Sequence, residues 1–204
     1  NGVLAAMLLH DIGHGPFSHV LENTLIKGVS HEDLSLKMME MINEEMGGRL
    51  SLAISIFMDR YEKRFLHQLI SSQLDMDRMD YLCRDCFFTG VMEGSIGAAR
   101  IIKMLNVSDD KLVVEAKGIY SIENFLVARR FMYWQVYLHK TSVAAEKMLV
   151  NILRRAKELM KSGVDLFATP ALRYFLKNDV DANSFDADYV LKRYVELDDV
   201  DVMS

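Results

Sequence analysis

From Ser121 to Ser162 the sequence keeps a helical pattern without meeting a proline, and Gly163 closes the run. An interior proline costs a helix about 3 kcal/mol, so a breaker-free stretch of this length predicts continuous helix, kinked at most. The rest of the chain agrees, since its only prolines are Pro16 and Pro170 and it carries fourteen methionines. The spacing predicts further helices over 17–25, 30–46, 50–61, 63–72, 74–87, 169–177 and 186–196. Chemical signals mark some of their edges: Ser30 with Asp33 three residues on makes a weak capping box, and Gly47-Gly48 is a stop. Only 100–105 and 111–116 read as strands. The expected fold is therefore mainly α, a multi-helix bundle with one small β-hairpin at about 100–116.

Half of the 204 residues are apolar, enough for one substantial core. The net charge of -5 makes no electrostatic case for a nucleic-acid partner. No apolar run approaches the length that spans a membrane. Two cysteines fit a reducing, cytoplasmic setting. They form Cys83-Arg84-Asp85-Cys86, and without a second pair or a strand context this reads as two neighbours on a helix rather than a redox or zinc motif.

The chemistry concentrates in Leu8-Leu9-His10-Asp11-Ile12-Gly13-His14-Gly15-Pro16-Phe17-Ser18-His19. Val3 to Leu9 reads as the buried end of a helix, so His10 and Asp11 stand where an apolar wall meets a cavity. An imidazole nitrogen beside a carboxylate oxygen suits a borderline or hard divalent cation. Two glycines and Pro16 break the helix, His14 sits in the turn, and His19 and Glu22 follow one helical turn apart. A lone His-Asp pair is usually an ordinary hydrogen bond. Four of the six histidines fall within the first 31 residues, however, and that density favours a metal-assisted site.

A second motif runs from Leu74 to Asp85. On a helix Asp77, Tyr81 and Asp85 share one face with Arg78 on its shoulder. A carboxylate there can complete a cation site and Arg78 can pair with phosphate oxygens, although a solvated, salt-bridged face explains the same pattern. Arg129, Tyr133, Tyr137 and Lys140 step by four, four and three along the long helix. Core packing explains the aromatics of such a stripe but not its charges.

The His10-to-His19 stretch, taken with the 74–85 motif, resembles the HD-domain phosphohydrolases, and within them the deoxynucleoside triphosphate triphosphohydrolases. The resemblance covers roughly residues 1 to 145 and implies roles residue by residue. His10, Asp11 and Asp77 would hold a divalent metal (Mn, Fe, Mg, Ni or Zn). His14, His19 and His31 would orient phosphate, activate water or protonate the leaving oxygen, with His19, supported by Glu22, nearest the scissile phosphorus. Arg78, Tyr81 and Arg129 would contact phosphate, Asp85 would accept from the sugar 3′-hydroxyl, and Tyr137 would pack beneath the deoxyribose. Tyr133 stands where a family member can carry histidine. Asp75 and Asp80 match no ligand, and Asp80 is expected to pair with a nearby arginine.

The reaction implied is cleavage between deoxynucleoside and α-phosphate, releasing inorganic triphosphate, by a homo-oligomer (dimer or tetramer). Two alternatives stand beside it: hydrolysis of another nucleotide, such as a nucleoside monophosphate or a signalling pyrophosphate, and a regulatory module that binds nucleotide without turnover. The family site has a further histidine well upstream of the His-Asp pair, and no histidine precedes His10. Residues 1–163 are therefore expected to be an N-terminally incomplete HD domain that binds metal weakly alone, unless His67, His139 or a neighbouring subunit supplies the ligand. Residues 164–204, for which no family motif is found, are expected to be a truncated helical extension.

Overall fold

The computed structural model describes residues 1–22 and 24–203, without the side chains of His19, Glu22 and Asp186. The fold is mainly helical, as the periodicity predicts. The chain opens with α1 (Gly2–Leu9), α2 (His19–Glu22), the two-residue strand β1 (Ile26–Lys27) and α3 (His31–Glu45). Two expectations fail here. In α1 only Ala6 is buried while Leu4 and Leu8 are exposed, because a helix that is apolar all round can turn only one stripe to its neighbours. The helix expected over 17–25 shrinks to α2, because Phe17 and Ser18 adopt left-handed backbone (φ 53° and 54°) that no α-helix contains. The capping box of α3 forms: the Asp33 amide donates to Ser30 Oγ, and the Ser30 amide donates back to Asp33 Oδ2.

Next come α4 (Ser51–Phe57), α5 (Phe65–Ile70), α6 (Met76–Thr89) and α7 (Ala98–Met104), then β2 (Leu105–Ser108) and β3 (Lys111–Val114). Asp75, buried, caps α6 by accepting from the Arg78 amide at 2.7 Å. The hairpin exists, but its first strand starts later than expected. Residues 100–104 are helical, with Ile101 fully buried on the inner face of α7. Asp109 and Asp110, both left-handed, form the two-residue turn that sets Ser108 opposite Lys111 and Leu105 opposite Val114.

The expected long helix is interrupted. It comprises α8 (Ile119–Met132), a π-helical turn over Tyr133–Tyr137, and α9 (Lys140–Lys161). The Leu138 amide reaches back five residues to the Tyr133 carbonyl at 2.7 Å, so one extra residue is absorbed without a proline. The tail contains α10 (Pro170–Lys177), capped by the Thr169 hydroxyl, then β4 (Val180–Asp181), α11 (Asp188–Val195) and α12 (Asp199–Met203). β4 pairs in parallel with β1, Ile26 beside Val180. Alternation cannot reveal strands of two residues.

The chain forms two compact units. One comprises Asn1–Leu8 with Met46–Val143, and is built on Met79, Leu82, Ile101, Phe125 and Met132. The other joins Leu9–Glu45 to Ala144–Ser204 around a core that includes Leu21, Leu25, Ile26, Phe175 and Tyr194. Each such buried side chain contributes about 1.5–3 kcal/mol, so residues from both ends of the chain hold the second unit together.

Candidate active site

In the second unit, chain leaving α1 turns sharply through His10–Gly15 and meets the start of α3. Gly13 is required there by close approach. A Cβ on it would lie 2.2 Å from the His31 carbonyl oxygen and 2.3 Å from the Ser35 nitrogen. Its amide donates to the buried Ser35 hydroxyl at 2.9 Å. This contact brings the turn against the first residues of α3, and His14 stacks on His31 with ring centroids 3.9 Å apart and planes within 13°. Ser18 Oγ lies 3.2 Å from His14 Nδ1, which leaves Nε2 turned toward Asp11.

Asp11 is the centre of the cluster. Its Oδ2 lies 3.3 Å from His10 Nε2 and its Oδ1 3.8 Å from His14 Nε2. Donor atoms of Asp11, His14 and His31 all lie within 4.8 Å of one another. One cation bound about 2.1 Å from each would need donors no more than about 4.2 Å apart, so adjustment by a few tenths of an ångström suffices. Two imidazoles and a carboxylate fit a borderline divalent ion, whereas the motif resemblance gives the metal to His10, Asp11 and Asp77 and leaves His14 and His31 for phosphate. His19 and Glu22 fall on α2, and their side chains lie outside the described residues.

The first unit assembles a second cluster around α6 and α8. The Tyr137 phenol donates to Asp85 Oδ2 at 2.7 Å. Burial first, and then this bond to a carboxylate, push the phenol well above its ordinary pKa. Tyr81 stands edge-on to Tyr137, Tyr133 does the same from the next turn, and Arg129 lies over the Tyr133 ring at 5.8 Å. Burial also raises the Tyr81 phenol. Arg129 is held by Gln73, which donor-acceptor reasoning on the sequence did not single out. The expected stripe therefore runs from Arg129 to Tyr137, and Lys140 begins a new helix beyond the π turn.

Arg78 bonds the Asp75 carboxylate and the Ser72 carbonyl, so part of its guanidinium is engaged at the start of α6. Asp80 pairs with Arg84 at 2.6 Å, as expected. His67 Nδ1 lies 3.1 Å from the Ile56 carbonyl, and His139 Nδ1 accepts from the Thr141 amide. Cys83 and Cys86 are unbridged on α6, with Cys86 Sγ donating to the Val91 carbonyl. Among the described residues no helix is long and apolar enough to cross a membrane.

Residues 1–85 match the HD domain family and residues 96–171 the HD associated region. The chain belongs to the HD-domain superfamily. Within that superfamily it is similar to a Bacteroides thetaiotaomicron phosphohydrolase of known crystal structure. Identity is 66%, with a TM-score of 0.95 over 98% of this chain and 50% of that one. It is 34% identical to the Bacillus subtilis protein YwfO, named as uncharacterized, over 96% of this chain and 45% of YwfO. It is also 28% identical to a Dictyostelium discoideum deoxynucleoside triphosphate triphosphohydrolase SAMHD1 homolog, over 78% of this chain and 34% of that protein. The chain spans about half the length of the B. thetaiotaomicron protein and of YwfO.

Proposed function

We propose that this HD protein is a metal-dependent phosphohydrolase whose substrate is a deoxynucleoside triphosphate, released as deoxynucleoside and inorganic triphosphate. The observation that carries the reading is Asp11 set between the His10 and His14 imidazoles, with His31 stacked behind His14. Phosphate esters resist attack because their charge repels nucleophiles. A divalent cation, when bound, neutralises that charge and makes water more acidic. His10 and Asp11 supply ligands, and the motif resemblance adds Asp77. His14 and His31 then face phosphate oxygens, and His19 with Glu22 attends the bond that breaks.

Support for the nucleotide comes from the Tyr137 cluster. Asp85 accepts one hydrogen bond from Tyr137 and keeps its second oxygen for a sugar 3′-hydroxyl. The tyrosine faces around it offer an apolar bed for a deoxyribose. Arg129, tethered by Gln73, and Arg78 with Tyr81 supply phosphate contacts, and two guanidinium groups fit a polyphosphate better than a monophosphate. The resemblance adds assembly into a homo-oligomer.

The test is to load the protein with Mn²⁺, incubate it with deoxy- and ribonucleoside triphosphates, monophosphates and a signalling pyrophosphate, and separate the products. Deoxynucleoside with intact triphosphate is expected. Release of pyrophosphate or of single phosphates would refute the assigned bond. Nucleotide binding without turnover would make the protein a regulatory module.

A further inference from the structure

Residues 172–204 lie outside both matched regions, yet they reach the histidine turn directly. The buried Tyr194, on α11, donates its hydroxyl to the Gly13 carbonyl at 2.8 Å. Asp199, at the start of α12, accepts the Phe17 amide on Oδ1 at 2.9 Å. With Ser35 on the Gly13 amide, three backbone groups of the turn are bonded by side chains from 22, 181 and 182 residues away.

These bonds fall where the turn has least support of its own. Phe17 and Ser18 are both left-handed, a conformation that costs an ordinary residue about 1–2 kcal/mol and persists only when the surroundings impose it. The Phe17 amide at the start of that pair is the group Asp199 holds, and Ser18 then presents its hydroxyl to His14. Packing does not enclose the turn on every side, because a cavity of about 400 Å³ lies against Ile12, His14 and Tyr194. Gly15 leaves room for the tyrosine: a Cβ there would sit 2.7 Å from the Tyr194 oxygen.

We infer that Tyr194 and Asp199 are positioning residues for the active site, fixing the Gly13–Ser18 turn and through it the His14 ring. The tail thereby becomes part of the catalytic architecture. The kinetic arm of this inference rests on the phosphohydrolase reading, whereas the geometric arm does not.

The experiment compares Tyr194→Phe, Asp199→Ala and Asp199→Asn with the parent in the intact protein. Tyr194→Phe removes one oxygen from a core that keeps its ring. Asp199 is exposed, so neither change removes apolar packing. Four quantities are read: kcat and KM for dATP with Mn²⁺, the ring-current shifts of the His14 and His31 protons in metal-free protein, and the thermal midpoint. Displacing a reacting group by about 1 Å can cost about a hundredfold in rate, so kcat should fall about ten- to a hundredfold in Tyr194→Phe and Asp199→Ala. KM should stay within about twofold, since no substrate contact is removed.

The His14 shifts should move toward those of an unstacked ring in the same two variants. Asp199→Asn keeps an oxygen in place for the Phe17 amide and should restore both readouts. A purely stabilising tail would lower the midpoint and leave kcat and the shifts of folded protein unchanged, and that result would overturn the inference. If the parent turns over no dATP, the functional reading fails, and the His14 shifts decide the positioning role by themselves.

Discussion

Gly13→Ala is the most informative single change at the histidine turn. The added Cβ would stand 2.2 Å from the His31 carbonyl oxygen, 2.3 Å from the Ser35 nitrogen and 2.8 Å from Ser35 Oγ. Two of these are backbone atoms at the start of α3, so no side chain can swing aside. The atoms must part by about an ångström to reach the roughly 3.5 Å of ordinary contact. Overpacking of this kind costs about 1–3 kcal/mol. Parting the strands of contact also breaks the bond from the Gly13 amide to Ser35 Oγ, and a buried donor left without a partner costs about 1–3 kcal/mol more. Alanine recovers about 0.4–1 kcal/mol by restricting the unfolded chain.

The net destabilisation is about 2–5 kcal/mol, a large share of the roughly 5–15 kcal/mol that holds a typical domain. Urea unfolding followed by circular dichroism reads this directly: at an m-value of about 2 kcal/mol/M the midpoint should fall by about 1–2.5 M with the slope unchanged. Activity of the remaining folded protein should drop as well, since His14 and His31 cannot stay stacked across a widened gap. A midpoint within about 0.2 M of the parent, with activity retained, would refute the close-packing argument.

Asp75→Ala should destabilise by about 2–4 kcal/mol in the same urea assay. The change strips the α6 cap, the Ser72 amide and the Arg78 guanidinium of one shared, buried acceptor. For Tyr137 the folded pKa is raised above its ordinary 10.0, so its stabilising contribution is present below pH 10 and is lost as pH rises past that value. The midpoint difference between parent and Tyr137→Phe should accordingly shrink above pH 10, and a difference that grows there would contradict the Asp85 bond. Asp77→Ala should abolish metal retention and turnover together while helical content is kept, and equal metal content by elemental analysis would remove Asp77 from the site. Tyr137→Ala should narrow the preference for deoxyribose over ribose substrates, whereas Arg129→Ala should weaken all triphosphates alike, as competition assays can score.

What the sequence made legible was whatever is encoded within a few residues. The α3 capping box and the Asp80–Arg84 pair depend on neighbours one helical turn away, and each forms. What escaped depends on distant partners. Val20, Leu21 and Leu25 read as one helix with Phe17, but the left-handed pair at 17–18 answers to Asp199, far along the chain. Ile101 and Ile102 read as strand by β-branching, and a buried place in a helical core overrode that preference. The π turn leaves no compositional mark, because Tyr133–Tyr137 differs from its flanks in hydrogen-bond span rather than residue type.

The discontinuity of the second unit also sets a schedule. Its first piece, Leu9–Glu45, emerges from the ribosome long before Ala144–Ser204, whereas most of the other unit, Met46–Val143, is contiguous and can begin to fold in between. At about 5–20 residues per second, the interval between synthesis of Phe17 and of Asp199 lasts about 10–35 s. Throughout that time the histidine turn lacks two of its three anchors and the apolar faces of 20–34 have no core to enter. The histidine turn therefore stays incompletely anchored until α12 is synthesised, and in those seconds the 9–45 segment is exposed to chaperones and to misassembly.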